Sequence, residues 1–171
     1  MSRGPRGVGR LNALPPHDAE RELLSCCGSR TWARAVADGR PYPDTAALKA
    51  ACDAAFTRLT WEDVEEALSR HPRIGDRPAG ADRESAWSRG EQSGVAGADR
   101  EVTRRLHEGN LEYEKRFGHV FLICATGLDA GRMLEALTER LGNDTATERR
   151  IVREELAKIA RLRLDKLLEH P

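Results

Sequence analysis

The chain has 171 residues, of which 28 are basic and 28 are acidic, so its formal net charge is zero. Charges of both signs are mixed along the chain without a polybasic run, which argues against a nucleic-acid or membrane-surface protein. No apolar run approaches the roughly 20 residues that cross a bilayer. The first ten residues also lack the apolar stretch of a secretory signal. We therefore expect neither a nucleic-acid partner nor a membrane partner.

The cysteines and histidines show none of the spacings that metal sites require. No Cys-x-x-Cys pair or Cys/His cluster is present, and the histidines show no ligand spacing with one another. We therefore predict no metal site, and reduced, buried thiols in a cytoplasmic protein. A phosphate-binding glycine loop and a dinucleotide fingerprint are also missing.

Composition predicts an all-α fold, because Ala, Leu, Arg and Glu dominate and β-branched alternation is scarce. Residues 1–10, rich in glycine, are expected to be a disordered leader. Residues 11–16 are expected to form an extended entry to a helical domain that covers residues 11–171. Since the sequence shows no repeat and no second domain, we predict a single-domain bundle of about eight helices.

Caps and apolar spacing place these helices in chain order. We predict helices over residues 18–27, 29–38 and 44–59, and then one that a capping box at residues 60–63 opens and that ends near His71. A short helix over residues 85–92 and a long one over 99–117 follow. The run 120–125 is the only strand-like segment and is too short for a sheet. Helices over 128–141 and from a capping box at residues 145–148 to about 168 complete the chain.

His71 departs from the scaffold pattern. It follows Val64 and Leu68 at helical spacing, which places it toward the apolar face. A Pro- and Gly-rich loop with the carboxylate of Asp76 comes next, and the end of a helix favours a protonated histidine. His71 is therefore a candidate general acid or base. The alternative is a core histidine that is hydrogen-bonded to a backbone carbonyl.

Two further charged residues invite both a structural and a functional interpretation. Glu91 follows Trp87 by four residues on the short helix, where it is either solvated, or part of a capping box with Ser88, or chemically active. Arg163 lies within the apolar stripe of the last helix, so we expect it to point inward and to need an acceptor. It forms either a structural ion pair with a helix glutamate or a fork that binds a carboxylate or a urea-like carbonyl.

Several short motifs occur in a fixed order over about residues 11–169. They are Leu11-Asn12, Cys26-Cys27-Gly28-Ser29 with Trp32, Arg40-Pro41, His71-Pro72-Arg73-Ile74-Gly75, Ser88-x-x-Glu91-Gln92, Asn110-x-x-Tyr113-x-x-Arg116-Phe117-Gly118, Phe121-Leu122-Ile123-Cys124-Ala125 and Leu162-Arg163-Leu164. Together these motifs resemble the 2-oxo-4-hydroxy-4-carboxy-5-ureidoimidazoline (OHCU) decarboxylases, the family that acts last on the route from urate to allantoin.

This resemblance implies an all-α homodimer that needs no metal and no organic cofactor. It implies decarboxylation of the small ureidoimidazoline substrate to (S)-allantoin and CO2. The family's catalytic residues fall on His71 and Glu91. Its substrate contacts fall on Pro72, Ser88, Gln92, Arg163 and the backbone of Phe121, Leu122, Ile123, Cys124 and Ala125.

Two other functions stay open from the residues alone. In a non-enzymatic interaction module, His71, Glu91 and Arg163 would form a buried polar network that fixes the helix register. In a hydrolase that acts on a neighbouring ureide, the His/Glu pair would activate water, and no CO2 would be released.

Overall fold

The computed structural model describes residues 6–76, 78 and 80–169. Over these residues the chain forms nine α-helices and one short 3-10 helix, and no strand. The all-α prediction is therefore confirmed, with one α-helix more than the eight or so expected. None of the helices in these ranges has the length and apolarity that a membrane crossing needs. The described parts of the chain fall into two compact units, one within residues 1–67 and 157–171 and the other within residues 68–156.

The first unit consists of the N-terminal helices and the C-terminal part of the last helix, in which α2 packs on α3 and both α1 and α3 pack on α4. Trp32 is fully buried, and its indole N–H donates a hydrogen bond to the carbonyl of Cys52 at 3.2 Å. The helices are α1 (Gly7–Ala13), α2 (Pro16–Leu24), α3 (Arg30–Asp38), α4 (Thr45–Phe56), α5 (Trp61–Leu68) and the later part of α9 (Thr145–Glu169).

The N-terminal end of the chain differs from the prediction. Residues 7–13 form α1, where composition predicts the end of a disordered leader and the start of an extended entry. Residues 1–5 of the expected leader lie outside the described residues. The glycines do weaken the helix, but Leu11 in its middle is buried. Packing of this apolar residue outweighs the low helix propensity.

Two polar side chains fasten α1 and the residue after it. The guanidinium of Arg40 donates hydrogen bonds to the carbonyls of Leu11 at 2.7 Å and Leu14 at 2.8 Å. Asn12 exchanges two hydrogen bonds with the backbone of Tyr42, at 2.8 and 2.9 Å. The motifs at residues 11–12 and 40–41 therefore have a structural role that spacing alone does not reveal.

The second unit surrounds a core built on α7, which packs on α8. Its helices are α6 (Arg83–Glu91), a 3-10 helix (Ser93–Val95), α7 (Arg100–Phe117), α8 (Ala130–Arg140) and the start of α9. The run 120–125 has no regular secondary structure, and Phe121, Ile123 and Ala125 within it belong to the core. The prediction that this run is too short to form a sheet is confirmed.

One of the two predicted capping boxes is present, and the other is not. Thr60 and Asp63 exchange reciprocal side chain to backbone hydrogen bonds at the start of α5, at 3.0 and 3.2 Å. At the start of α9, however, Asp144 accepts a hydrogen bond from the backbone N–H of Thr147 at 2.7 Å. Glu148, the expected fourth residue of that box, is fully buried and pairs with Arg140.

Candidate active site

His71 lies just beyond α5, in a bend. Its backbone N–H donates to the carbonyl of Leu68 at 3.0 Å, and Pro72 prevents the helix from continuing. The ring is half-buried rather than in the core, so the inward position predicted from helical register is only partly realised. His71 lines a cavity of about 310 Å³ together with Pro72 and Ser88. Among the described residues, the cavity is also lined by Ser69, Arg70, Pro78, Asp82, Glu84 and Ser85.

Helix α6 places Ser88 and Glu91 in its second half. The helix starts at Arg83, because Asp82 caps it by accepting hydrogen bonds from the backbone N–H of Ser85 at 3.0 Å and from its hydroxyl at 2.8 Å. These hydrogen bonds lower the pKa of Asp82 below its ordinary value. A capping box formed by Ser88 and Glu91 is therefore excluded. Ser88 is buried, and Glu91, the last residue of the helix, is half-buried.

Gln92 fixes the loop that follows Pro72. Its side-chain oxygen accepts a hydrogen bond from the backbone N–H of Gly75 at 2.9 Å, and its amide nitrogen donates to the carbonyl of Arg73 at 3.4 Å. Asn110 on α7 donates to the carbonyl of Ile74 at 2.8 Å. Gln92 also lines a second cavity, of about 510 Å³, that lies beside this loop.

The segment 121–125 carries hydrogen-bond donors that no described residue uses. Phe121, Leu122, Ile123 and Ala125 are buried and Cys124 is half-buried. In the ranges that the structure covers, the backbone N–H groups of those four buried residues donate no hydrogen bond. Such groups are costly when they stay unpaired, and they can bind an anion or a developing oxyanion.

Arg163 belongs to the first unit and is 4% exposed, so its predicted inward position is confirmed. Its guanidinium donates to the carbonyl of Ser25 at 3.3 Å. A carbonyl oxygen therefore serves as one acceptor of this buried cation.

The sequence analysis missed a buried polar group on α8. Arg140 is 6% exposed and forms an ion pair with Glu148 at 2.6 Å. It follows the buried residues Met133 and Leu137 by seven and three residues, which is the same phase signal that singled out Arg163. Across the described ranges, no three His, Cys, Asp or Glu side chains are grouped so that they could hold a metal ion.

The helical fold and the cavity beside His71 agree with one class of protein, the decarboxylases of ureidoimidazolines to which the motifs point. The sequence model of the OHCU decarboxylase family matches residues 12–165. The chain therefore belongs to this family.

Individual relatives agree with this assignment. The chain is 36% identical over 151 residues to the uric acid degradation bifunctional protein TTL of Arabidopsis thaliana, covering 86% of this chain and 47% of that protein. It is 35% identical over 141 residues to the 2-oxo-4-hydroxy-4-carboxy-5-ureidoimidazoline decarboxylase of Amia calva, covering 81% of each. The chain thus spans about half of the plant protein and about four fifths of the fish protein.

A solved structure is similar as well. The crystal structure of an OHCU decarboxylase in the presence of (S)-allantoin superposes with a TM-score of 0.74 at 35% sequence identity. The match covers 86% of this chain and 97% of that one.

Proposed function

We propose that this protein decarboxylates 2-oxo-4-hydroxy-4-carboxy-5-ureidoimidazoline to (S)-allantoin and CO2 in urate degradation. The observation that carries the proposal is the cavity that His71, Pro72 and Ser88 line together. These are three of the positions that the family resemblance assigns to catalysis and substrate binding. Membership of the family over residues 12–165 supports the same reaction.

The substrate itself supplies the electron sink for this reaction. When the bond to the carboxylate breaks, its electron pair moves into the adjacent ring C=N bond, so no organic cofactor is needed to accept it. The ring nitrogen of that C=N bond takes up a proton as it receives the electrons. The hydroxyl on the carbon that lost the carboxylate then gives up its proton and becomes a carbonyl, and the neighbouring ring carbon receives a proton. One proton is taken up for each CO2 that leaves the carboxylate substrate.

The protein's task is to orient the substrate and to move protons. In our proposal His71 and Glu91 are the acid/base pair beside the hydroxyl and the carboxylate, and either of them can deliver the final proton. Backbone N–H groups of the segment 121–125 stabilise the charge that develops on oxygen. Ser88 and Gln92 hold the ureido group and the polar ring atoms, and the family resemblance assigns a substrate contact to Arg163 as well.

We also propose that the protein works as a homodimer in the cytoplasm. The family resemblance supports the dimer, and four free cysteines, three of them buried, fit a reducing compartment. Light scattering after size exclusion tests the assembly. A mass near twice the 19.0 kDa of one chain supports the dimer, and a mass near 19.0 kDa over a tenfold concentration range contradicts it.

The direct test of function generates the unstable substrate in place, from urate with urate oxidase and hydroxyisourate hydrolase, and follows its decay by circular dichroism. We expect wild type to accelerate the formation of chiral allantoin with CO2 release. His71→Ala should lose about 10²-fold or more of the turnover. His17→Ala, which alters an exposed histidine of α2, is the matched control.

Each alternative function gives a different result in the same assay. Decay at the spontaneous rate with folded wild type rejects the decarboxylase. If allantoin also fails to stabilise that protein against heat, the interaction module is favoured. Substrate loss without CO2 indicates a ureide hydrolase.

A further inference from the structure

A buried network of polar side chains lies in the core of the second unit. The guanidinium of Arg140 contacts one carboxylate oxygen of Glu148 through Nη2 at 2.6 Å and through Nε at 2.8 Å. The hydroxyl of Tyr113 donates to the same oxygen at 2.5 Å, and Asn143 donates to the other oxygen at 3.1 Å. Glu148 and Tyr113 are fully buried, so their hydrogen bond lies away from water, whereas Asn143 is half-buried.

Arg140 also holds the irregular segment 121–125 by two contacts. Its Nη1 donates to the carbonyl of Leu122 at 2.6 Å. Its guanidinium carbon lies 4.5 Å from the centre of the Phe121 ring, within cation–π range. The Tyr113 ring meets Phe121 edge-on at 5.3 Å. The network therefore contacts this stretch at two points, the carbonyl of Leu122 and the ring of Phe121, and so fixes the backbone between them.

Stability alone does not account for this arrangement. A buried ion pair stabilises a fold little better than well-packed apolar residues, because desolvation offsets the attraction between the charges. The planar guanidinium instead provides a fixed geometry, because its N–H donors hold a carboxylate and a carbonyl in set directions. The residues that it holds in place, Phe121 and Leu122, are among those whose backbone N–H groups no described residue uses.

We propose that Arg140, held by Glu148 and Tyr113, is a positioning residue that fixes the backbone N–H groups of the segment 121–125 for the substrate oxygen on which negative charge develops. This inference rests on the proposed function, because it assigns the task that the segment performs in that reaction. Arg140 acts through the backbone of the segment and has no chemical step of its own.

The test compares Arg140→Lys, Arg140→Met and Tyr113→Phe. Lysine keeps the charge but lacks the fork, and Tyr113→Phe removes a single hydroxyl, so it stays informative even when the Arg140 variants fold poorly. Leu48→Ala is the control for a general loss of stability, because Leu48 is fully buried in α4 of the first unit. Three quantities are measured on folded protein: amide hydrogen exchange of residues 121–125, kcat with KM, and the enantiomeric excess of allantoin at excess enzyme.

We expect faster amide exchange of residues 121–125 in the Arg140 variants. Their kcat should fall about tenfold or more while KM changes little, since the N–H groups act on the developing charge. Arg140→Met should be more impaired than Arg140→Lys, and the enantiomeric excess should fall. Tyr113→Phe should change the same quantities in the same direction by a smaller amount, and Leu48→Ala should change only the melting temperature.

Failure of this inference can be distinguished from failure of the proposed function. If the exchange of residues 121–125 in Arg140→Lys and Tyr113→Phe matches wild type, Arg140 does not position the segment, and the inference is overturned whatever the activity. Faster exchange with unchanged kcat and enantiomeric excess overturns it too, because the network is then only structural. A wild type that leaves the substrate decaying at the spontaneous rate overturns the proposed function, and with it the catalytic part of this inference.

Discussion

Arg73 and Glu114 form a bidentate ion pair, with Nε to Oε1 and Nη2 to Oε2 distances of 2.8 Å each. Arg73 directly follows the His71–Pro72 pair, and Glu114 lies on the long helix α7. The ion pair attaches the loop that follows Pro72, beside the cavity, to the rigid helix α7. Because both side chains are partly exposed, its contribution to global stability is small.

We therefore expect Glu114→Gln to reduce activity more than stability. A looser loop would misplace His71, and small misplacements of a catalytic group are costly, so kcat should fall about tenfold. Activity and thermal melting would be measured side by side. Glu108→Gln is the control, because Glu108 lies on the same helix and pairs with the exposed Arg104 at 2.7 Å. Equal kcat values for the two variants would contradict a role in positioning.

Glu91→Gln keeps the shape of the side chain and removes its ability to exchange a proton. If Glu91 belongs to the acid/base pair, kcat should fall by about 10²-fold or more while the fold is retained. The measurement is initial CO2 release at saturating substrate. Glu139→Gln, an exposed residue of α8, is the control. Retention of more than about a tenth of the wild-type kcat by Glu91→Gln would remove this residue from the chemistry.

Arg163→Lys tests whether the buried guanidinium recognises substrate. Lysine keeps the charge but not the planar fork that pairs with a carboxylate or urea-like group, so we expect KM to rise about tenfold. Stabilisation by allantoin in thermal melting should shrink in parallel. Arg161→Lys is the control, since Arg161 pairs with Asp53 at the surface at 2.8 Å. A lower melting temperature with wild-type KM would leave Arg163 a structural role only.

The sequence predicts local features well and distant partners poorly. Helical phase identified Arg163 as buried, and the same phase places Arg140 on the stripe of Met133 and Leu137. The partners of Arg140 were hidden for a physical reason. The carbonyl of Leu122 is 18 residues away in sequence, where no periodicity applies. Glu148 occupies the position of a capping-box glutamate, so its spacing predicted a contact that its burial in the core prevents.

Similar reasons explain the other differences between prediction and structure. The glycine content over residues 7–10 predicted disorder. Helix propensity does not include the hydrogen bonds from Arg40 and Tyr42, distant in sequence, that hold α1. The cavity likewise combines His71, just beyond α5, with Ser88 on α6, and an irregular loop separates the two in sequence. The motifs of the family resemblance pointed to both residues, whereas spacing could not bring them together.

Cys124 should be the first cysteine to react with iodoacetamide at pH 8. It is half-buried, whereas Cys26, Cys27 and Cys52 are buried. Burial, followed by the charge of Asp53, raises the pKa of the Cys52 thiol to about 12, so this group stays protonated and unreactive at pH 8. Peptide mass spectrometry over time measures the order of reaction.

Ligand protection extends this measurement to the site. If the segment 121–125 contacts the ligand, allantoin should slow the modification of Cys124. Protein unfolded in guanidinium chloride, in which all four cysteines should react, is the control. Modification of Cys52 as fast as Cys124 would contradict the difference in exposure between the two thiols. A lack of protection by allantoin would contradict a contact between the segment 121–125 and the ligand.

Asp144 makes the start of α9 sensitive to acid. Its carboxylate accepts the backbone N–H of Thr147 at 2.7 Å, and this hydrogen bond lowers the pKa of Asp144. Because the folded pKa lies below the unfolded value of about 3.9, the stabilisation is present above that pH and is lost as pH falls through the folded pKa.

Asp144→Ala should therefore lower Tm by about 3 °C at pH 7 and by much less near pH 2.5. Asp144→Asn, which keeps a capping oxygen, should lie between alanine and wild type at pH 7. Thermal melts of the three proteins at both pH values test this prediction. If Asp144→Ala lowers Tm equally at both pH values, the hydrogen bond of the Asp144 carboxylate is not the source of the acid sensitivity.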